Sequence, residues 1–327
     1  MLFRTSQMCS TISAVEFSEL LKKNQQELWS GMAQVEWATN EQRLLLIVRG
    51  ELMGVYKNVA SGYQKVDTID ELALLSKADL MQVATLPLSI ASLRLCKLYF
   101  ENLAPAETIS IQMERLPVLM NQWGKLPVPN LIVLRWKEAE GLLLFYANDP
   151  SPEHAFLLSK AGPLHGADAI AKARTWGEPT ASILKYPYAD NALAWEEFNL
   201  YLAFNAFLSG MLSHYKELTG LALLNALGRN INRVAMEEKC DLSLTLGNLT
   251  DNSMFANSRE TIDTYNTILA VVFEHVAIVL GQKLMQHTAQ ETIASMKPLY
   301  AKLMWKFDAV MHFGILSSDK SRERAYA

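Results

Sequence analysis

Two periodicities of apolar residues follow one another in the first half of the chain, and each occurs twice. Apolar residues at helical spacing predict amphipathic helices over residues 15–28 and 111–123. After each helix come two apolar stretches separated by a polar turn, at residues 39–42 and 137–141, which predicts a β-hairpin. Residues 32–37 alternate between apolar and polar side chains, as a half-buried strand does. The second strand of each hairpin is continuously apolar, which is typical of a central strand.

The two helix–hairpin segments resemble each other at an offset of 99 residues. Without a gap, Trp37 lies over Trp136 and Glu41 lies over Glu140. Self-similarity at a constant offset predicts a duplicated domain. Beyond the hairpins the patterns differ, so we expect the copies to diverge. The predicted elements there are helices over residues 69–77 and 88–102 in the first copy, and a strand over 154–159, a helix over 167–175 and a strand over 180–186 in the second.

From residue 192 onward the pattern is almost purely helical. Apolar residues recur at helical spacing over residues 193–225 and 258–290, with a polar stretch at 237–248 between them. Residues 200–211 carry no charge at all. A helical domain of this size normally has a charged outer face, so we expect another subunit to cover part of this apolar surface. The alternative is that the preceding α/β domains bury these helices within one chain.

The two long helical stretches also resemble each other, at an offset of 61 residues. Gly220 then matches Gly281, and His214 matches His275. Glycine at the same place in both helices predicts close approach between helices. The two histidines, if they faced one seam, would bind a metal or act as a proton-sensitive contact. The alternative is two hydrogen-bonded or partly exposed helix histidines.

Composition and charge exclude several classes of function. The chain has 327 residues, with 30 Lys and Arg against 34 Asp and Glu, so it offers no basic field to nucleic acid. Cys9, Cys96 and Cys240 lie far apart, which favours free thiols in a reducing cytosol over disulfides. The N-terminus lacks the apolar stretch of a secretory signal. The apolar stretch 268–281 is interrupted by charge and is shorter than the ~20 residues of a membrane span. We therefore expect a cytoplasmic protein.

Motifs that carry chemistry are missing from the sequence. It has no phosphate-binding glycine loop, no nucleophile elbow of the GxSxG type and no HExxH zinc motif. We therefore predict no enzymatic activity, no cofactor and no metal or nucleotide bound at stoichiometric level.

Four residues are candidates for an interface instead. Trp29, in a predicted exposed loop, is the candidate for contact with a partner protein. Phe207, Met211 and Phe273 are the candidates for self-association of the helical domain. With Met285, the same three side chains would line the cavity of a small apolar ligand, which is the alternative function.

Residues 14–190 resemble the PATAN-type domain, a module at the N-terminus of PatA-like cyanobacterial response regulators and of many bacterial adaptor proteins. The first copy shows the leucine-rich helix with Phe17, Leu20 and Leu21, then Ser30-Gly31-Met32, the apolar residues 44–48 and Arg49-Gly50-Glu51-Leu52. The second copy shows Gly166-Ala167-Asp168-Ala169-Ile170 leading to Trp176-Gly177, but it has Leu126-Pro127-Val128-Pro129 in place of the Ser-Gly start. The resemblance implies a protein-interaction module of bacterial signalling, with no catalytic residues to transfer.

Together these observations predict an α+β protein. Its domains would be two PATAN-like helix–hairpin domains, over residues 1–110 and 111–190, an all-α domain over 191–316 that mediates self-association, and a charged tail over 317–327. The predicted function is that of a non-enzymatic bacterial adaptor or scaffold that binds partner proteins and forms a homo-oligomer. The alternative is a sensor that binds a small apolar ligand in the helical domain.

Overall fold

The computed structural model describes residues 10–37, 41–59, 62–102, 104–126, 128–146, 154–189 and 192–316. By its internal contacts the chain divides into two units, Met1–Trp195 (unit 1) and Glu196–Ala327 (unit 2). Helices and antiparallel sheets occur together, so the predicted α+β class is confirmed. Cys9, part of the predicted turn at 39–42 and the predicted tail at 317–327 lie outside the described residues.

The first half of unit 1 is a six-stranded antiparallel sheet with three helices. The elements are β1 (Ser10–Ile12), α1 (Ala14–Gln26), β2 (Gly31–Trp37), β3 (Glu41–Val48), β4 (Glu51–Val59), β5 (Gly62–Val66), α2 (Thr68–Leu75), β6 (Met81–Pro87) and α3 (Ile90–Glu101). The strands run in the order β1-β6-β2-β3-β4-β5. The helix α1 begins with a capping box, in which the N–H of Ser13 donates to the Glu16 carboxylate at 2.7 Å.

The second half of unit 1 repeats this arrangement. The elements are β7 (Glu107–Gln112), a 3-10 turn (Met113–Arg115), α4 (Leu116–Gly124), β8 (Asn130–Arg135), β9 (Ala139–Phe145), β10 (His154–Ser159), β11 (Gly162–His165), α5 (Gly166–Arg174) and β12 (Thr180–Pro187). The strands run in the order β11-β10-β9-β8-β12-β7, which is the order of the first sheet when it is followed from the opposite edge.

The predicted duplication is therefore confirmed, and it extends further than the sequence indicated. The expectation that the copies diverge after the hairpin is wrong, because every strand and both sheet-covering helices of the first copy recur in the second. Small loop-length differences hide this in the sequence. Gly31 pairs with Ile47 and Asn130 pairs with Phe145, so the offset is 99 residues in β2 but 98 in β3. The gap-free match of Glu41 with Glu140 is accordingly wrong by one residue.

The helix α3 lies between the two sheets. It contacts β2, β3 and β5 of the first sheet and β9 and β10 of the second. The opposite face of the first sheet packs on α1 and α2, through a core that includes Phe17, Leu45, Ile47 and Leu75. The other face of β3, with Leu44 and Leu46, is buried as well. The continuous apolar pattern predicted for this strand thus reflects helices on both faces of its sheet.

Unit 2 consists mainly of helices. The helix α6 (Leu193–Thr219) begins at the end of unit 1 and crosses the border between the units. The other elements are α7 (Leu221–Glu237), β13 (Leu242–Thr245), β14 (Asn248–Asp251), α8 (Ser258–Leu280), α9 (Gln282–Ser295), α10 (Pro298–Leu303), a 3-10 turn (Met304–Lys306) and α11 (Asp308–His312). The all-α prediction is corrected by the β13–β14 hairpin, whose strands are too short to produce a clear alternation.

The predicted repeat in unit 2 corresponds to two helix–glycine–helix corners. Gly220 joins α6 to α7 with φ +81°, and Gly281 joins α8 to α9 with φ +84°. A Cβ atom built on either glycine would meet nothing within 4 Å, so the predicted close helix approach at these positions is wrong. Glycine is needed there because side chains rarely adopt a positive φ. Close approach occurs at Gly210 instead, where a Cβ would lie 2.7 Å from Thr292 Cγ2.

The helix α8 is the one described helix that is long and apolar enough to cross a membrane. It contacts α7, α9 and α11, and its buried side chains include Tyr265, Leu269 and Phe273. The core helix of a globular protein meets the same length and composition criterion, so this is weak evidence for a span. The absence of a membrane span stays a prediction.

Candidate functional site

The structure places the predicted interface residues inside or against the cores of the two units. Phe207, Met211 and Phe273 are fully buried in unit 2, and the rings of Phe207 and Phe273 lie 5.9 Å apart. Trp29 is half-buried rather than exposed, and it packs against the core beneath α1 and α2. Phe207, Met211 and Phe273 thus present no exposed apolar surface, and Trp29 presents only part of its side chain. Their role in an interface stays a prediction, and any surface for a partner has to be found elsewhere on the described chain.

Of the two matched histidines, His214 is half-buried on α6 and His275 contacts Tyr215 and Asn230. The ring of His275 meets that of Tyr215, almost at a right angle and with centroids 5.9 Å apart. Asn230 Nδ2 lies 3.2 Å from His275 Nδ1, and burial lowers the pKa of His275. Within the described ranges no three His, Cys, Asp or Glu side chains are grouped to hold a metal. His275 thus corresponds to the alternative of a hydrogen-bonded helix histidine.

A buried polar cluster joins α3 to the second sheet. The Nε of Arg135 donates to Glu140 Oε1 at 3.0 Å, and its guanidinium also donates to the hydroxyl of Tyr99 on α3. The Glu140 side chain is 3 % exposed. Tyr186 stacks edge-on against Tyr99 at 5.7 Å. The sequence offers one sign of this cluster, which is a Glu beside a continuously apolar strand.

Burial and neighbouring charges shift the pKa values of Tyr99 and Arg135 in this cluster away from neutral pH. Burial raises the pKa of Tyr99 far above its usual value, and the negative charge of Glu140 adds to the effect. Burial also raises the pKa of Cys96. For Arg135, burial opposes the charge but the neighbouring Glu140 more than compensates, so its pKa is raised. General acid–base catalysis needs a pKa near the operating pH, and the pKa values of Tyr99 and Arg135 are raised away from it. The hydrogen bonds of the cluster connect a helix to a sheet.

A serine–histidine contact joins the two copies near the start of α3. Ser92 Oγ lies 2.5 Å from Nδ1 of His165, the residue that precedes α5. A serine beside a histidine is the arrangement of a nucleophile and its base. Ser92 is only 2 % exposed, however, and its backbone N–H and its hydroxyl are both engaged by Ser89 Oγ. A substrate has no access to this hydroxyl, so the contact is structural.

A second buried cluster in unit 2 surrounds Asp251, at the end of the β13–β14 hairpin. One carboxylate oxygen accepts from the hydroxyl of Tyr265 on α8 at 2.7 Å and from Nδ2 of Asn205 on α6 at 2.7 Å. The other accepts from the N–H of Ser253 at 2.9 Å. These bonds connect the hairpin to two long helices. Both carboxylate oxygens of Asp251 therefore accept hydrogen bonds from donors of the protein itself.

We expect the Cys240 thiol, next to this cluster, to react slowly. Burial and the charge of Asp251 raise its pKa to about 11. Since the thiolate is the reactive form, the rate of alkylation at pH 8 should be about 100-fold below that of a free cysteine, and it should rise about tenfold per pH unit up to pH ~11. The measurement is iodoacetamide labelling in a Cys9→Ser variant, followed by peptide mass spectrometry. Labelling of Cys240 as fast as free cysteine at pH 8 would contradict this expectation.

No protein-family model, no curated protein and no solved structure matches this chain. The resemblance to PATAN-type domains likewise stays an expectation of the sequence.

Proposed function

We propose that this chain is a non-enzymatic adaptor or scaffold of bacterial signalling that binds a partner protein and self-associates. The observation that supports this proposal is the use of its buried polar groups. Arg135 with Glu140, Ser92 with His165 and Asp251 with its three donors all connect one element of the fold to another. Groups that are buried and mutually satisfied in this way provide rigidity rather than chemistry.

The difference between the two copies in unit 1 indicates where a partner binds. In the first copy Val15 on α1 is 69 % exposed, and Ile69 and Leu74 on α2 are 78 % and 50 % exposed. The corresponding helix positions in the second copy hold the small or charged residues Glu114, Ala167 and Lys172. Both helices of the first copy cover the same face of its sheet. Three large apolar side chains are thus exposed on α1 and α2 of the first copy, against one, Val118, on α4 and α5 of the second. The larger exposed apolar area is the docking surface of this proposal.

The double variant Val15→Glu with Leu74→Lys tests this surface. Each substitution copies the residue that the same fold already carries in the second copy, so the fold should be retained. The double variant is expected to capture at least about tenfold less of the protein that copurifies with the wild-type chain from its native cell. The readout is quantitative mass spectrometry of the tagged full chain.

The matched control is Val118→Glu, which places the same charge on α4 of the second copy, at a position that is 60 % exposed. It should leave the captured proteins unchanged. Equal losses with Val118→Glu, or a wild-type chain that captures no protein, would contradict the proposed adaptor function.

The alternative function, a sensor with an apolar cavity, requires space among four side chains that are buried together in unit 2. Phe207 and Phe273 are in ring contact, and Met211 and Met285 are fully buried. A ligand among these four side chains would have to separate them.

A further inference from the structure

Exposed apolar side chains are concentrated at the two glycine corners of unit 2. Around Gly220 these are Leu218, Leu221 and Leu223, and around Gly281 they are Ile278, Val279 and Leu284. Their exposed fractions range from 37 % for Val279 to 85 % for Ile278. We call these six residues, together with Leu246 at the tip of the β13–β14 hairpin, the corner patch.

Both corners lie at the same end of unit 2. Three ring contacts connect α6 to α8: Phe204 with Tyr265, Phe207 with Phe273, and Tyr215 with His275. The residue numbers rise together along both helices, so α6 and α8 run parallel. The last of these contacts lies between one and two turns before Gly220 and Gly281. The packing of the parallel helices therefore places the two groups of apolar side chains at the same end of unit 2.

The tip of the β13–β14 hairpin extends this patch. Thr245 pairs with Asn248, which leaves Leu246 and Gly247 as a two-residue turn with φ +51° and +80°. Two positive φ angles are required by a type I′ turn, for which Asn-Gly is favoured and Leu is strained. A Cβ on Gly247 would lie 3.5 Å from Leu221 Cδ1, so the tip adjoins the first corner. Leu246 is nonetheless 72 % exposed, so packing within the chain does not explain this residue.

The charged side chains around the corner patch indicate which kind of surface covers it. Within four residues of the two glycines the charged side chains are Lys216, Glu217 and Lys283, and all three are exposed. An anionic lipid surface attracts clusters of about four to eight basic residues, which this rim does not have. A second copy of the same patch meets both signs of charge, so Lys of one copy can face Glu of the other. An apolar centre with a mixed polar rim is the usual anatomy of a protein interface.

We propose that the corner patch is the surface through which two copies of this chain associate, face to face about a twofold axis. The self-association named in the proposed function is thereby assigned to specific residues, and the inference rests on that part of it. A twofold interface uses the same patch on both subunits, so the patch has to be complementary to itself. The rim of the corner patch carries charges of both signs and meets this requirement. Leu246 is kept at a strained, exposed position because its side chain is buried by the second copy.

The test is the variant Leu246→Asn, with Ile278→Ser as a second variant. Asn is favoured in the first position of a type I′ turn, so the monomer should fold at least as well as the wild type. Sedimentation equilibrium of the full chain should show a wild-type dimer in the micromolar range. Each variant should raise the dissociation constant at least about tenfold. Circular dichroism should show unchanged secondary structure.

The control is the double variant Val15→Glu with Leu74→Lys, which removes exposed apolar area from unit 1 and should leave the dimer intact. Conversely, Leu246→Asn should still capture the partner protein, so the failure of one proposal is distinguishable from the failure of the other. A wild-type chain that stays monomeric, or variants that dimerise as tightly as the wild type, would overturn the inference. Binding to vesicles of phosphatidylserine and phosphatidylcholine that is lost in Leu246→Asn would also overturn it, in favour of lipid.

Discussion

Replacing Glu71 with alanine is expected to lower the free energy of unfolding by about 3 kcal/mol, because it leaves a buried arginine without its main partner. The Arg43 side chain is 3 % exposed, and its Nε and Nη2 donate to the two oxygens of Glu71 at 2.6 and 3.2 Å. Glu41, which is 44 % exposed, keeps one contact with Arg43 at 2.8 Å. This remaining contact places the expected loss at the lower end of the range for buried pairs.

The double variant Arg43→Leu with Glu71→Leu should restore the free energy of unfolding to within about 1 kcal/mol of the wild type, since no unpaired charge remains. Urea unfolding of the wild type, the double variant and the two single variants Arg43→Leu and Glu71→Leu measures the coupling between the two residues. The control is Glu27→Ala, which removes a partner of Lys23 in a pair whose side chains are more than half exposed, and should cost less than about 0.5 kcal/mol. A Glu71→Ala variant as stable as Glu27→Ala would refute the expected role of the buried pair.

Replacing Gly50 with alanine is expected to cost about 3 kcal/mol, from a strained backbone and from a steric clash together. Gly50 has φ +81° in the turn between β3 and β4. A Cβ there would lie 2.2 Å from the Cα of Gln25 and 2.6 Å from the carbonyl oxygen of Asn24. Backbone atoms of a helix end cannot move aside as a flexible side chain can, so α1 or the turn has to shift.

The matched control for Gly50→Ala is Gly166→Ala at the start of α5. Gly166 also has a positive φ, +53°, but a Cβ there meets nothing within 4 Å. Its replacement should therefore cost about 1 kcal/mol from the backbone alone. Thermal and urea unfolding of both variants measure the difference. Equal losses would mean that the contact between the turn and the end of α1 contributes nothing.

The duplication of unit 1 was predictable from the sequence only in part. Phe17 and Leu116, or Val35 and Leu134, occupy equivalent buried positions at the offset of 99 residues found in the sequence. Beyond β2 the offset between equivalent positions changes. Ile47 is equivalent to Phe145, at an offset of 98 residues, and Val83 is equivalent to Ile183, at an offset of 100. Because strands have a period of two, a shift of one residue exchanges the buried and exposed faces in a gap-free comparison. The downstream similarity is lost for this reason.

The candidate sites were less predictable than the fold. Glu140, Arg135 and Tyr99 come together because α3 crosses from the first copy to the face of the second sheet. The local pattern marks Glu140 beside an apolar strand, but it does not indicate that Tyr99 contacts this cluster. The hydrophobic pattern of α6 predicted that the side chains of Phe207 and Met211 are covered. It did not distinguish a core within one chain from an interface between chains, since both require the same residue types.

The sequence by itself determined the α+β class, the helix–hairpin repeat and the helical character of the second half, because periodicity and turn residues act over short distances. Only the tertiary structure decided where the apolar surface is covered and where it is left open. The parallel packing of α6 and α8 buries Phe207 and Phe273, and it brings Leu218 and Ile278 to one exposed end. Burial depends on which helices lie side by side, and that choice is made by contacts between residues about sixty positions apart along the chain.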